Sequence, residues 1–222
     1  MGGAMEEIIV IRHGSAMLEG SLSVPEGAGG IVLFAHGSGS SRKSPRNNVV
    51  AAVLRINGFA TLLMDLLTPE EDRVYDNRFN IDLLAERLVA ATDLIVSDKR
   101  TRGLNIGYFG ASTGAGAAVV ASVKTGGAVK AIVSRGGRAD LAKEHLPRVE
   151  APTLLIVGGN DTLVLDLNVQ AYKQLICIKE LAVVPDATHL FEEPGALEAA
   201  SNHAIRWFKR YLSAEHAIQT GA

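Results

Sequence analysis

The stretch Gly107-Tyr108-Phe109-Gly110-Ala111-Ser112-Thr113-Gly114-Ala115-Gly116 joins two apolar segments. Before it, Leu104 to Phe109 reads as a short buried strand. After it, Thr113 to Lys124 is rich in alanine and valine and reads as a helix. At the joint, Gly110-Ala111-Ser112-Thr113-Gly114 matches G-x-S-x-G. A serine on such a sharp strand-to-helix turn is held in a strained backbone conformation, with its hydroxyl exposed above the sheet. Glycines two before and two after leave room for the turn and for close helix–strand packing. The amide of the next residue, on the first turn of the helix, points where an oxyanion would form. The pattern by itself fits a nucleophile and a purely structural turn equally well, so its surroundings decide.

Working outward, the same alternation extends along the chain. Glu7 to Arg12 and Ala16 to Val24 read as an antiparallel pair turning at His13-Gly14-Ser15. Ile31 to Ala35 and Ala60 to Met64 are continuous apolar runs, as expected of strands covered on both faces. Between them Ser44-Pro45 fits an N-cap with proline at the first helical position, and Gly58 stops that helix near Asn57. Leu67 to Phe79 reads as a polar loop and a short candidate lid. Asn80 caps an amphipathic helix to about Ser97. Beyond the serine turn come a strand Val129 to Val133, a short helix Ala139 to His145 and a strand Thr153 to Val157. A helix Asp166 to Leu175, a strand Glu180 to Val184 and a helix from Gly195 to Leu212 complete the order. This order predicts an α/β fold with a mostly parallel central sheet, an N-terminal antiparallel hairpin and helices on both faces. One domain is expected over residues 6–212, with flexible ends at 1–5 and 213–222. In such sheets the ligand site lies beyond the carboxyl ends of the strands.

Composition narrows the function classes. Of 222 residues, 47% are hydrophobic and 21% charged, a globular balance. A formal net charge of −2 gives no general case for nucleic acid or an anionic membrane as partner. No apolar run reaches the ~20 residues that a membrane span needs. Cys177 is the single cysteine and lies in an apolar run, which predicts a buried, inert thiol. No C-x-x-C or H-E-x-x-H pattern indicates a metal site. The N-terminus lacks the pattern of a signal peptide. A cytoplasmic protein acting as a monomer or small homo-oligomer on a small-molecule substrate, with no cofactor, is the expectation.

Four strand ends fit together as acyl-transfer machinery. Serine is a poor nucleophile unless a base removes its proton, and histidine, with a pKa near ~6.5, suits that task. The base then needs a carboxylate to fix its tautomer. His189, after the last strand, is the best base. His13, His145, His203 and His216 sit in a turn, on helices or in the tail. Asp161 follows Gly158-Gly159-Asn160 at a strand end and is the favoured acid. Its rivals are Asp65, Asp140, Asp166 and Asp186. The amides of Thr113 and Ser38 are the expected oxyanion hole, with Gly37 shaping the loop and His36 bracing it. Arg42, Lys43, Arg46, Arg135 and Arg138 lie at the same ends. They are either solvated charges paired to Glu70, Glu71, Asp72 and Glu192, or a basic rim that selects an anionic acyl group, with Arg42, Arg135 and Arg138 as the substrate-binding candidates.

The chain resembles the α/β-hydrolase superfamily and, within it, the dienelactone-hydrolase-like group. The closest likeness is to a bacterial branch found alone or joined to a phosphoribosyltransferase domain. The stretches that carry it are Ala35 to Arg42, Ser44 to Asn47, Asp65 to Glu71, Gly107 to Gly114, Ser134 to Arg138 and Ala187 to Gly195. The resemblance implies that Ser112, Asp161 and His189 take the nucleophile, acid and base positions. Dienelactone hydrolases proper carry a cysteine where this chain has Ser112, so lactone specificity does not carry over. The expected function is a serine hydrolase acting on a small soluble ester or lactone-type carbonyl. The alternatives are a catalytically weak binding module of the same fold, or a nucleotide- or phosphate-binding domain, although G-x-G-x-x-G is absent.

Overall fold

A run with no polar face can be a strand only if both of its faces are covered. The computed structural model, which describes residues 5–213, shows this for the central strands. Every residue of β3 (Ile31–Ala35), β4 (Ala60–Met64), β5 (Ile106–Ala111) and β7 (Thr153–Gly158) is buried. With β1 (Glu6–His13), β2 (Ala16–Ser23), β6 (Val129–Arg135) and β8 (Lys179–Val184) they form one eight-stranded sheet, in the order β1-β2-β4-β3-β5-β6-β7-β8. The β1–β2 and β2–β4 pairs are antiparallel, and all pairs from β4–β3 to β7–β8 are parallel.

The helices are α1 (Pro45–Ile56), α2 (Pro69–Asp72), α3 (Ile81–Ser97), α4 (Thr113–Lys124), α5 (Thr162–Gln174) and α6 (Ala196–Leu212). Helices α1 and α6 cover one face of the sheet, where Val50, Leu54, Ala200 and Phe208 pack on Phe34, Phe109 and Val133. Helices α3, α4 and α5 cover the other, through Leu84, Leu88, Val119, Val120 and Ala171. This is the mostly parallel α/β arrangement expected from the alternating order, and the α/β-hydrolase arrangement that the resemblance implies. No helix among the described residues is long and apolar enough to cross a membrane.

The structure corrects several boundaries. The strand expected from Leu104 begins at Ile106. Helix α5 begins at Thr162 rather than Asp166, because Val164, Asn168 and Ala171 form its buried stripe. The segment Ala139 to His145 is not one helix but a 3-10 turn, Ala139–Ala142, followed by a second at Leu146–Arg148. Leu67 to Phe79 is not a loose loop. Thr68 and Glu71 form a reciprocal capping box around α2, and Tyr75–Phe79 is a 3-10 turn. Arg78 grips Asp72 through two hydrogen bonds of 2.8 and 2.7 Å, and the buried Arg87 holds Glu71 at 2.6 Å. This segment is pinned to α3, which argues against a lid. Cys177 is half-buried, 3.8 Å from Thr153 Oγ1, and burial pushes its thiol pKa up. The ends expected to be flexible fall almost wholly at residues 1–4 and 214–222, outside the described residues, as does His216.

Candidate active site

Ser112 sits at the N-cap of α4 with φ 50° and ψ −123°. A non-glycine residue in that region stores strain of about 1–3 kcal/mol. The turn is held from both sides. The Ser112 N–H donates to Arg135 O at 3.3 Å, and Ser112 O accepts from the N–H groups of Ala115 and Arg138 at 3.0 and 2.9 Å. Gly110 and Gly114 are needed for contact rather than for flexibility. A Cβ on Gly110 would lie 2.5 Å from Ala115 Cα; one on Gly114 would collide with Ala35 O and lie 2.5 Å from His36 O. The elbow is thus wedged between the end of β3 and the start of α4.

Asp161 and His189 meet, as expected, across the loops after β7 and β8. The His189 Nδ1–H donates to Asp161 Oδ2 at 2.7 Å. The two loops are locked together: the Asn160 N–H reaches Ala187 O at 2.9 Å and Asn160 Nδ2 reaches Asp186 O at 3.0 Å. With its Nδ1 proton committed to Asp161, His189 presents Nε2 as the free base. Ser112 and His189 line the same cleft of about 190 Å³, together with Gly37, Ser38, Arg46, Asn47 and Arg135. No hydrogen bond joins Ser112 Oγ to His189 among the described residues. The rival acids are otherwise engaged or exposed: Asp65 accepts from the Arg42 N–H at 2.8 Å, Asp140 pairs with Arg138, and the side chains of Asp166 and Asp186 face solvent.

Ser38 lines this cleft, whereas Thr113 is buried just behind it. Neither amide donates to a backbone acceptor among the described turns and loops, so both are free to face an oxyanion. His36 is the brace expected of it. Its Nε2 accepts from the Leu66 N–H at 3.1 Å, which leaves Nδ1 to carry the proton and donate to Gly37 O at 2.9 Å. Burial pushes its pKa below the ordinary value, keeping it neutral.

The basic residues separate into two kinds. Arg42 pairs with Glu19 and Asp65, Arg46 with Glu192 at 2.7 Å, and Arg138 with Asp140 at 2.8 Å. Of the partners expected, only Glu192 was correctly placed. Arg42 and Arg138 do not line the Ser112 cleft, which corrects their assignment to substrate binding. Arg135 is different. It is 7% exposed and has no carboxylate partner among the described residues; its charge rests between the rings of Phe109 and Phe191 at 5.9 and 5.8 Å. Burial, aided by the nearby Arg46, lowers its pKa to about 10. Among the described residues no cluster of His, Cys, Asp and Glu could hold a metal ion.

Comparison with known proteins places this chain in a family. The family model "Dienelactone hydrolase family" matches residues 18–214. The chain belongs to the dienelactone hydrolase family. A crystal structure of a dienelactone hydrolase from Anabaena variabilis is 53% identical, covers 95% of this chain and 100% of that one, and superposes with a TM-score of 0.92. Est1E from Butyrivibrio proteoclasticus, 16% identical over 94% of this chain and 100% of its own, shares the fold with a TM-score of 0.75. Two curated relatives from strains of Mycobacterium tuberculosis are 55% identical over 207 residues and are named, provisionally, as phosphoribosyl transferases. The alignment covers 93% of this chain but 46% of theirs, so the chain spans about half the length of the curated relatives it matches. That fits the branch in which a hydrolase domain is joined to a phosphoribosyltransferase domain. Membership of this family supports hydrolase activity in general.

Asn47 is the residue of this cleft that sequence reasoning left without a role. It is 2% exposed, and its Oδ1 accepts from Arg135 Nη2 at 3.3 Å. The available signal was a polar side chain on the inward face of α1, in register with Val50, Ala51 and Leu54.

Proposed function

We propose that the protein is a serine hydrolase that cleaves a small ester through an acyl-enzyme. One observation carries this reading: the Asp161–His189 pair, at 2.7 Å, opens onto the same small cleft as a serine held at φ 50° on a strand-to-helix turn. Ser112 Oγ bonds to the ester carbonyl carbon as its proton passes to His189 Nε2. The carbonyl oxygen takes the negative charge and is held by the Ser38 and Thr113 amides. The carbon–oxygen bond to the alcohol then breaks, and His189 returns its proton to the departing oxygen. Water repeats the sequence on the acyl-enzyme and frees Ser112. Asp161 stays ionised throughout and stabilises the imidazolium. The Ser112–His189 contact closes when substrate binds, as catalytic hydrogen bonds that are long in a free enzyme tighten in the complex. The pinned 67–79 segment leaves the cleft uncovered, which favours a short, soluble substrate.

A fluorophosphonate probe tests the reading. It should label the wild type at Ser112 and leave Ser112→Ala unlabelled. An unlabelled wild type would sink it and favour the second reading, a binding module of hydrolase fold. That alternative draws on the absence of a Ser112–His189 hydrogen bond in this structure.

A further inference from the structure

Arg135 is the feature that the proposed chemistry does not use. Arg135 lines the Ser112 cleft, and its Nε and Nη1 are sealed from solvent without partners among the described residues. Removing one partner of a buried charge is costly, and a cation buried with no carboxylate at all is in that condition permanently. The cleft offers no relief, since its lining contains no Asp or Glu. The surroundings add positive potential instead. Helix α1 begins at the same cleft through Ser44, Arg46 and Asn47, and its first turn carries no acidic residue. Pro45 at its start has no N–H, Ser44 Oγ covers the Asn47 N–H, and the Arg46 N–H is left as the open donor of that turn.

From this corner we infer that the substrate carries a phosphate monoester, held by Arg135 Nη2, Asn47 Nδ2 and the start of α1 while its ester carbonyl lies at Ser112. The inference rests on the hydrolase reading above and names its substrate class. The donor geometry distinguishes phosphate from carboxylate. A carboxylate is matched best by the two parallel N–H groups of an arginine fork. Arg135 cannot present that fork: Nε and Nη1 are sealed, so neither edge of the guanidinium offers two free parallel N–H groups, and Nη2 meets Asn47 Oδ1. Asn47 Nδ2 makes no hydrogen bond among the described residues and is a second separate donor. Donors on separate elements, at a helix N-terminus, suit a tetrahedral dianion. One buried cation plus the helix end also exceeds the charge of a single carboxylate.

The test compares length-matched esters at pH 8. The phosphate class is represented on the acyl side by 4-nitrophenyl 3-phosphonopropionate and on the alcohol side by 2-phosphoethyl butyrate. The carboxylate match is the 4-nitrophenyl half-ester of glutarate, and the neutral matches are 4-nitrophenyl valerate and propyl butyrate. At least one phosphate-class ester should exceed its neutral match in kcat/KM by roughly ten- to hundredfold, the worth of a hydrogen bond to a charged group. Arg135→Gln should shrink that ratio by a similar factor, mainly through KM. Calorimetric titration of the wild type with 3-phosphonopropionate reads the site without turnover and without the variant. Neutral esters turned over as well as phosphate-class ones, a glutarate ester preferred to both, or an equal loss for all substrates in Arg135→Gln would overturn the inference, and so would no heat of binding. Those outcomes leave fluorophosphonate labelling of Ser112 intact. Loss of labelling with phosphonate binding retained would instead sink the hydrolase reading.

Discussion

Gly114→Ala is a one-carbon change whose cost follows from the wedge at the elbow. The added Cβ would collide with Ala35 O and lie 2.5 Å from His36 O. An ordinary C···O contact is about 3.3–3.6 Å, so both carbonyls must recede by about 1 Å. They belong to the end of β3 and the loop after it, and β3 is hydrogen-bonded to β4 and β5 on its two sides. A backbone held that way yields little, which puts the overpacking cost near the top of the usual range, about 3 kcal/mol. The better helix propensity of alanine returns up to about 1 kcal/mol. The net loss is about 2 kcal/mol, or about 4–8 °C in Tm for a chain of this size. The moved loop carries Ser38, and a misplacement of about 1 Å costs on the order of a hundredfold in rate. Thermal and urea unfolding, read beside ester hydrolysis, measure both effects. Gly29→Ala is the control: it meets no atom within 4 Å and lies outside the left-handed region, so its effect should be neutral or stabilising by up to about 1 kcal/mol. A Gly114→Ala protein as stable and as active as the wild type would refute the wedge.

Asp161→Asn keeps the shape of the site but removes the charge that orients His189, so kcat should fall by about 10⁴-fold with little change in Tm. Retention of more than a tenth of the wild-type kcat would remove Asp161 from the catalytic set. Ser112→Gly relieves the strain at φ 50°, worth about 1–3 kcal/mol, against a glycine entropy cost of about 0.5–1 kcal/mol. It should unfold at a higher urea concentration while losing all ester hydrolysis, and a lower midpoint would count against a strained elbow. His36 adds a pH dependence. Burial depresses its pKa despite the nearby Asp65 and Asp72, so the unfolded chain binds this proton more readily than the native one. Its contribution is therefore complete above pH ~6.5 and declines as pH falls toward the native pKa, by at most about 1.4 kcal/mol per pH unit. Urea titrations at pH 7.5 and 5.0 should show a smaller acid loss in His36→Gln than in the wild type; equal losses would mean that His36 is protonated without penalty.

What was legible in the sequence is what depends on local pattern. Ile31–Ala35 and Ala60–Met64 are strands because an unbroken apolar run must be covered on both faces. Asp161 and His189 were readable because Asp161 sits where the buried β7 ends and His189 follows the last strand, and the doubly wound order brings strand ends together. The capping box Thr68-Pro69-Glu70-Glu71 was local too, yet the segment was read as a loop because one helical turn carries no periodicity. The arginines were not separable in the sequence for a physical reason. Whether a charge is neutralised depends on partners distant in the chain: Glu19 for Arg42, Glu192 for Arg46, and, among the described residues, no carboxylate for Arg135. Only folding decides which cation is left over.

Three departures from local rules fall at the ends of three adjacent strands, and their location argues for chemistry over packing. After β5, a serine occupies a backbone region that glycine would fill without strain. At the end of β6, a buried guanidinium has no counter-ion among the described residues. After β7, Asp161 stands at the N-cap of α5 but makes no capping bond, although Ser44, Thr68 and Asn80 all cap their own helices. An aspartate cap is worth about 1 kcal/mol. That stabilisation is forgone because the carboxylate is turned to His189. Packing alone would scatter such losses through the molecule. Here they converge on one cleft of about 190 Å³, which Ser112 and Arg135 line and Asp161 reaches through His189. Sequences that are locally consistent elsewhere break their own rules where a reacting group must be held. On the proposed reading Arg135 is part of what the cleft recognises, since a glutamine or leucine there would satisfy the fold at lower cost.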